Sequence, residues 1–173
     1  MKRIYLSLGS NLGDRQSALQ TAVDKLHAPD LVVTKISSIW ETAPVGFKEQ
    51  SNFFNVAIEA QTSLLPMQLL HRVKAIERDM GRKKTVRNGP RLIDVDILLY
   101  GSFVVDTLQL QIPHPRMQER RFVLEPLAEI ATDVRHPVTR QPLRELLAAA
   151  PHQLVRRTAL RLDLSGSGPE QRP

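Results

Sequence analysis

The chain has 173 residues, a net charge of +6 and no cysteine. This length suits one domain with a full hydrophobic core, and the lack of cysteine excludes disulfides, thiolate chemistry and cysteine-type zinc sites. No run approaches the ~18 uninterrupted apolar residues of a membrane span. No apolar signal segment follows Met1 either, so we expect a cytoplasmic protein. The positive charge suits a polyanionic partner: nucleic acid, phospholipid or nucleotide phosphates.

The first half of the sequence predicts strands interleaved with two helices. Asp14 is placed to cap a helix that runs to Leu26, and Pro66 fits the first turn of a second helix over residues 65–80, which Gly81 ends. Strands are predicted over residues 4–8, 31–42 and 53–61, with a long loop over 43–52. In the third strand, period-two spacing puts four apolar residues on one face: Phe54, Val56, Ile58 and Ala60.

The second half predicts one interior strand, shorter strands and two more helices. Residues 94–100 are apolar apart from two acids, and a basic loop precedes them over 82–90. Further strands are predicted over 103–105 and 108–112, and helices over 122–130 and 143–150. This order lacks a regular βαβ rhythm and favours an α+β sandwich. We expect a single domain over residues 1–150 and a C-terminal extension over 151–173, partly disordered.

Two acids in the interior strand are the most informative local feature. Asp94 and Asp96 are two residues apart, so their side chains face the same side. They repel each other and lose hydration, which a bound cation would offset, and carboxylate oxygens favour hard cations such as Mg²⁺. Two ions about 3.5–4 Å apart could clamp a transferring phosphate. A water-exposed pair at the strand end, or a pair bonded to arginines, explains the pattern equally well.

A cation-rich stretch directly precedes this acidic pair. Arginine suits bidentate phosphate contact and lysine acts as a point charge. Acids that hold a metal beside cations that neutralise phosphate oxygens are what ATP–Mg chemistry requires. An ordinary solvated loop and a nucleic-acid patch are the alternatives. Five basic residues occur within ten positions: Arg82, Lys83, Lys84, Arg87 and Arg91.

A second ligand surface is predicted at the start of the strand over 53–61. Phe53 and Asn55 share one face, where an aromatic ring could stack on a flat heterocycle and an amide could both donate to it and accept from it. Core packing for Phe53 and a structural hydrogen bond for Asn55 are the alternatives. His114, between two prolines, is either structural or a phosphate contact. The Walker A loop and the G-x-G-x-x-G motif are both absent.

Six segments together resemble the 6-hydroxymethyl-7,8-dihydropterin pyrophosphokinase family, over roughly residues 3–150. The most specific is the Gly-Pro-Arg-x-x-Asp-x-Asp core at residues 89–96. The resemblance implies a ferredoxin-like α/β/α sandwich on a mainly antiparallel sheet. It also implies a monomer that transfers pyrophosphate from ATP to the hydroxymethyl arm of a reduced pterin in folate biosynthesis, with release of AMP. The matching segments are residues 8–14, 41–46, 53–55, 87–98, 113–117 and 120–127.

The same resemblance implies a role for each matching residue. Asp94 and Asp96 would be ligands of two Mg²⁺ ions. Arg82 and Arg91 would be the catalytic cations that engage the transferring phosphates. The ATP site would be formed by Lys74, Glu77, Ile97, Leu110, His114 and Arg120. The pterin site would be formed by Gly9, Thr42, Pro44, Val45, Phe53, Asn55 and Phe122.

Two other functions are compatible with part of the pattern. An RNA-binding ferredoxin-like domain would explain the net charge, but the acidic pair would repel a nucleic-acid backbone. A two-metal nuclease would explain the acids and arginines, but it leaves Phe53, Asn55 and Phe122 without a role. We therefore expect ATP and a reduced pterin as partners, with no nucleic acid and no membrane. The general base stays open between Asp96 and a metal-bound water.

Overall fold

The computed structural model describes residues 1–46, 49–81 and 89–164. Its helices are α1 (Arg15–Leu26), α2 (Pro66–Asp79), α3 (Arg121–Ala131) and α4 (Leu143–Ala149), and a short 3-10 helix spans Met117–Glu119. Its strands are β1 (Lys2–Ser10), β2 (Leu31–Ile36), β3 (Trp40–Thr42), β4 (Phe53–Thr62), β5 (Asp94–Tyr100), β6 (Val105–Asp106), β7 (Gln111–Ile112) and β8 (Val155–Arg157).

One antiparallel sheet organises these elements. Its strand order is β5-β1-β4-β3-β8, and β2 also pairs with β4. β1 lies between β4 and β5, and in this register Gly9 faces Asn55 on one side and Asp94 on the other. Because antiparallel neighbours run in opposite directions, the end of β1 lies beside the starts of β4 and β5. The sheet thereby brings together two segments that the sequence predicted as separate binding surfaces.

Apolar residues alternate between the two faces of the sheet, and helices cover both. The face carrying Phe54, Val56, Ile58 and Ala60 packs against α1 and α2, which confirms the predicted grouping of these four residues. The opposite face carries Tyr5, Ala57 and Leu98 and packs against α3 and α4. Sheet residues that alternate with period two need a partner layer on each side. The predicted α+β fold class on a mainly antiparallel sheet is confirmed.

The predicted helix boundaries have the expected local causes. Asp14 caps α1 by accepting a hydrogen bond from the Ser17 backbone N–H at 3.0 Å. Pro66 is the first residue of α2, where its missing N–H costs nothing. Gly81 follows α2 with φ +82°, a left-handed conformation that favours glycine. The two helices therefore begin and end within a few residues of the predicted positions.

The prediction of one strand over residues 31–42 is wrong. Trp40 lies four positions after Ile36, but their partners Asn55 and Ile58 are only three positions apart, so this side carries one extra residue. Such an insertion breaks the ladder and bends the chain. At the break, the Ser37 hydroxyl accepts a hydrogen bond from the Ala57 N–H at 2.9 Å. A side chain thus replaces the backbone carbonyl, and β2 and β3 form in place of one strand.

The short strands after β5 also differ from the prediction. They are β6 and β7, which are two residues each and pair with one another. Phe103 belongs to neither, because it lies in the turn after β5 and its ring stacks on Tyr100 with centroids 5.5 Å apart. The ring of Phe103 packs on β5, whereas Val104 is 61 % exposed, so the apolar run over residues 103–105 is not the predicted strand.

The segment after α4 packs back onto the molecule. β8 pairs with β3, with Trp40 opposite Arg157 and Thr42 opposite Val155. Farther along, Leu162 is 9 % exposed and joins the core beneath α1. The proposed boundary at residue 150 and the partly disordered tail stay predictions, and residues 165–173 lie outside the described residues, as does most of the basic loop over 82–90. Within the described residues, no helix is long and apolar enough to cross a membrane.

Candidate active site

A cavity of about 280 Å³ opens at the edge of the sheet where β1 ends and β4 and β5 begin. It is lined by residues from these strands, from β3 and the segment after it, from α2, from the segment before β5, and from the region before and within the first turn of α3. The lining residues are Ser7, Gly9, Thr42, Ala43, Val45, Phe53, Asn55, Lys74, Gly89, Arg91, Asp94, Asp96, His114, Arg116, Arg120 and Phe122.

The two acids of β5 enter this cavity together and face arginines at some distance. Arg91 Nη1 lies 3.7 Å from Asp94 Oδ1, and Arg120 Nη1 lies 3.9 Å from Asp96 Oδ2. These separations exceed hydrogen-bonding distance, so the arginines contribute mainly charge. The arrangement leaves carboxylate oxygens directed into a cavity that also holds cations.

The electrostatics of the acidic pair favour a bound divalent cation. Burial, reinforced by the charge of Asp94, raises the pKa of Asp96 to about 6 despite the opposing charges of Arg120, Lys74 and Arg91. A cation between the carboxylates would relieve this repulsion. In the described part of the chain no cluster of three or more acidic or histidine ligands exists. Mg²⁺ fits such a site, because it commonly binds one or two carboxylates and takes its other ligands from phosphates and water.

Beside the acids lies a basic wall, which is formed by Lys74, His114 and Arg120. Lys74 Nζ is 3.4 Å from Oε1 of Glu77, which is 2 % exposed. Burial, together with the charge of Arg120, lowers the pKa of His114 to about 4, so the ring is neutral near pH 7. Its Nδ1 accepts from the Arg116 N–H at 3.2 Å, which places the ring proton on Nε2.

Next to this wall lies another cavity of about 620 Å³. Ile97 and Leu110 supply apolar lining, and the cavity shares Lys74, Asp96 and His114 with the first. A partly apolar compartment joined to a charged one suits a ligand with a flat ring and an anionic part.

The opposite wall of the first cavity is aromatic and amide in character. Asn55 is 3 % exposed, and its Nδ2 donates to Thr42 Oγ1 at 2.6 Å, which fixes the orientation of the amide. A Cβ on Gly9 would lie 2.6 Å from Asn55 Oδ1, so any larger residue at this position would displace the Asn55 amide from the place that Thr42 fixes. Phe53 and Phe122 line the same space. These groups can bind the face and edge of a flat heterocycle.

Most residues predicted for the site meet in these two cavities, while their individual roles stay predictions. Pro44 and Glu77 are not among the lining residues, and Arg82 lies outside the described residues. Ile97 and Leu110 line the second cavity alone. The predicted residues that line the first cavity are Gly9, Thr42, Val45, Phe53, Asn55, Lys74, Arg91, Asp94, Asp96, His114, Arg120 and Phe122.

Sequence reasoning missed Asn11, which connects two segments that flank the cavity. Asn11 Oδ1 accepts from the Arg91 N–H at 2.7 Å, and its own N–H donates to Arg91 O at 3.0 Å. Its Nδ2 donates to Gln50 Oε1 at 2.8 Å and to Ser51 O at 3.0 Å. A buried amide directly after a strand and between glycines was the available signal, but its partners are distant in sequence.

Comparison with known proteins gives a consistent result. The model of the 7,8-dihydro-6-hydroxymethylpterin-pyrophosphokinase (HPPK) family matches residues 5–132. A 2-amino-4-hydroxy-6-hydroxymethyldihydropteridine pyrophosphokinase from Bacillus subtilis is 52 % identical over 78 % of this chain and 81 % of its own. The protein of the same name from Aquifex aeolicus is 46 % identical over 84 % of this chain and 90 % of its own.

Solved structures show the same fold. A Plasmodium falciparum HPPK-DHPS chain with pteroate superimposes with a TM-score of 0.69 at 18 % identity, covering 86 % of this chain. This chain spans 42 % of that longer protein, so the likeness concerns the fold of one part of it. The family match and the close relatives together lead to one conclusion: the chain belongs to the HPPK family.

Proposed function

We propose that this protein transfers the pyrophosphate group of ATP to 6-hydroxymethyl-7,8-dihydropterin and releases AMP, as a step of folate biosynthesis. One observation carries the proposal: Gly9 lies in register between Asn55 and Asp94, so a heterocycle-binding wall and an acidic pair share one cavity. A site that transfers a phosphate group to a heterocyclic acceptor needs its heterocycle-binding surface next to its metal-binding acids. Neither a nuclease nor an RNA-binding module requires a buried amide and two aromatic rings beside the acids.

In this proposal Asp94 and Asp96 would hold the two Mg²⁺ ions, because carboxylate oxygens are ligands that this cation prefers. Bound Mg²⁺ would supply charge neutralisation on the phosphate oxygens. The fit is supported by the burial of Asp96 and by the charge of Asp94, which together raise the pKa of Asp96 despite the neighbouring cations. Lys74, His114 and Arg120 bind the phosphates from the basic wall, and the second cavity takes the adenosine part.

The pterin ring occupies the aromatic side of the cavity. Asn55, held by Thr42, reads the ring edge, while Phe53 and Phe122 contact its faces. This pose directs the hydroxymethyl arm toward the acidic pair. The site holds both reacting groups in place, so they do not have to meet by diffusion. This positioning lowers the activation barrier of the transfer.

The reaction is a displacement at the β-phosphorus. A bond forms between the pterin hydroxyl oxygen and the β-phosphorus, the bond between that phosphorus and the oxygen bridging to AMP breaks, and the hydroxyl proton is released. Arg91, together with Arg82, stabilises the charge that develops on the transferring and leaving oxygens.

The test follows the two products. Incubation with ATP, Mg²⁺ and 6-hydroxymethyl-7,8-dihydropterin should yield AMP and the pterin diphosphate in equal amounts, and release of ADP or phosphate alone would refute the proposal. Asp94→Asn and Asp96→Asn should each lower turnover by at least about 10²–10³-fold, the loss typical of a major electrostatic stabiliser. The melting temperature of Asp96→Asn should not fall, since burial and the charge of Asp94 disfavour the ionised form of Asp96. Thermal melting also checks that Asp94→Asn folds.

Asp163→Asn is the matched control for these variants. Asp163 is exposed, and its backbone N–H and carbonyl oxygen form the hydrogen bonds to the Gln20 side chain, so the substitution preserves them. This variant should keep the turnover of the unsubstituted protein. Near-normal turnover of Asp94→Asn or Asp96→Asn would refute the assignment of the metal ligands.

A further inference from the structure

The chain after α4 contacts the aromatic side of the cavity, although the family match ends at residue 132. β8 pairs with β3, and the Ala43 N–H donates to Leu154 O at 3.1 Å. This contact continues the pairing past Thr42 to Ala43, which lines the cavity. The segment over residues 151–157 therefore lies directly behind one wall of the site.

Within this segment, Gln153 joins two walls that come from distant parts of the chain. Its Nε2 donates to Ala43 O at 3.0 Å, and its Oε1 accepts from the Phe122 N–H at 3.1 Å. Ala43 follows β3, whereas Phe122 lies in the first turn of α3, and both line the cavity. Gln153 itself is half-buried behind them. One amide thus spans the gap between the two sides of the heterocycle-binding wall.

The bond to Phe122 also satisfies a helix end. The first N–H groups of a helix lack partners within the helix, and Arg120, at the N-cap position of α3, makes no side-chain capping bond. Gln153 supplies an acceptor for one of these N–H groups. The position of the Phe122 backbone therefore depends on a side chain that lies outside the helix and outside the cavity.

Contacts on both sides hold Gln153 in place. Before it, the Arg121 guanidinium donates to Ala150 O at 2.9 Å and to Pro151 O at 3.2 Å. After it, Arg157 pairs with Glu129 of α3 at 2.7 Å. Because its backbone is fixed at both ends, the amide can set the separation of Ala43 and Phe122.

We propose that Gln153 is a positioning residue for the pterin substrate. Its amide fixes the distance between Ala43 and Phe122, which lie on the two sides of the heterocycle-binding wall. This inference rests on the proposed function. Groups that hold a rigid ring must stay within a fraction of an ångström of their places, and supporting hydrogen bonds provide that precision. The bond therefore affects the binding of the pterin and leaves the ATP side of the site unchanged.

The experiment compares two substitutions with a neighbouring control. Gln153→Met has a similar length but no amide, and Gln153→Glu keeps the acceptor for Phe122 while losing the donor to Ala43. His152→Met is the control, because His152 is exposed. The Michaelis constants for 6-hydroxymethyl-7,8-dihydropterin and ATP are measured for each, with thermal melting and direct titration of the pterin fluorescence.

The pterin KM should rise about tenfold in Gln153→Met and about threefold in Gln153→Glu, as expected for two bonds and one. The ATP KM should stay within about twofold, and His152→Met should match the unsubstituted protein. Unchanged pterin binding, or a parallel rise of both constants, would overturn the inference, and Gln153→Glu decides it if Gln153→Met fails to fold. Failure of the proposed function would differ, because the unsubstituted protein would then make no pterin diphosphate.

Discussion

Single residues determine how closely the two halves of the candidate site approach. Gly9 stands opposite both Asn55 and Asp94, and a Cβ at this position would lie only 2.6 Å from Asn55 Oδ1, so a larger residue would displace the Asn55 amide. The Thr42 hydroxyl then fixes the Asn55 amide. Both contacts act by fixing where the Asn55 amide lies, so the position of each residue in the fold decides its effect on the site.

Asn11 provides a testable case at this scale, because it bonds to segments on both sides of the cavity. Asn11→Ala removes the side-chain bonds to Arg91, Gln50 and Ser51 and keeps the backbone bond to Arg91 O. It should lower kcat/KM by about 10–100-fold, since each hydrogen bond contributes about 1 kcal/mol and misplacement of Arg91 adds to the loss. Steady-state kinetics with both substrates measure the effect.

Asn11→Asp separates the two arms of this contact. It keeps an acceptor for the Arg91 N–H and loses the donor to Gln50 and Ser51. It should therefore recover part of the lost kcat/KM, and Gln50→Ala should resemble it. An unchanged kcat/KM in Asn11→Ala would show that this amide has no influence on the site.

Elements were predictable from sequence where their cause is local. The strand over residues 94–100 matches β5 because an apolar run with two acids is visible without knowing its neighbours. The helix starts at Asp14 and Pro66 are local too. The break at Ser37 was not predictable, because it depends on an extra residue relative to β4. The strand β8 was not predictable either, because it is three residues long with two arginines and forms by pairing with distant β3.

The C-terminal segment gives a stability prediction at the scale of elements. Leu162 is 9 % exposed in the core, so Leu162→Ala should lower the free energy of unfolding by about 2–4 kcal/mol through lost burial and a residual cavity. Leu154→Ala is the control, since Leu154 is 71 % exposed and bonds through its backbone, and it should change stability by less than about 0.5 kcal/mol. Equal effects in urea denaturation would contradict the packing of this segment.

The turn between α3 and α4 gives a pH prediction. His136 is 2 % exposed, its Nδ1 accepts from the Val138 and Thr139 N–H groups, and burial lowers its pKa below the usual range. The folded state favours the neutral ring, so the unfolded chain binds the proton at higher pH. This contribution to stability is full above about pH 6.5 and is lost as pH falls toward the folded pKa.

A non-titrating variant isolates this effect. His136→Asn retains an acceptor for the turn, so its free energy of unfolding should vary less between about pH 6.5 and 5 than that of the unsubstituted protein. Urea denaturation across this range measures the difference. Identical pH dependence in the two proteins would exclude His136 as the source.

At the scale of the whole molecule, the sequence predicted the chemistry of the site better than its assembly. Asp94 and Asp96 could be singled out from residue type and spacing, whereas the spacing of Phe53 and Asn55 left core packing and a structural hydrogen bond open. Their meeting at Gly9 follows from the register of three strands, which no local pattern encodes. The same holds for Gln153, whose two partners lie 110 and 31 residues away. Residue chemistry is local information, whereas contact across a fold is not.

The charge of the assembled site leads to a final prediction about its two substrates. Four cations and two acids line the first cavity: Lys74, Arg91, Arg116, Arg120, Asp94 and Asp96. ATP is a polyanion and the pterin is uncharged, so the net positive charge of the cavity should strengthen the binding of ATP alone. Raising NaCl from about 0.05 to about 0.5 M shortens the screening length severalfold. At saturating Mg²⁺ the ATP KM should therefore rise severalfold while the pterin KM stays within about twofold.

Arg116→Gln should reduce the salt dependence for ATP, because Arg116 is half exposed at the rim. Equal salt dependence for both substrates would mean that this field does not select between them.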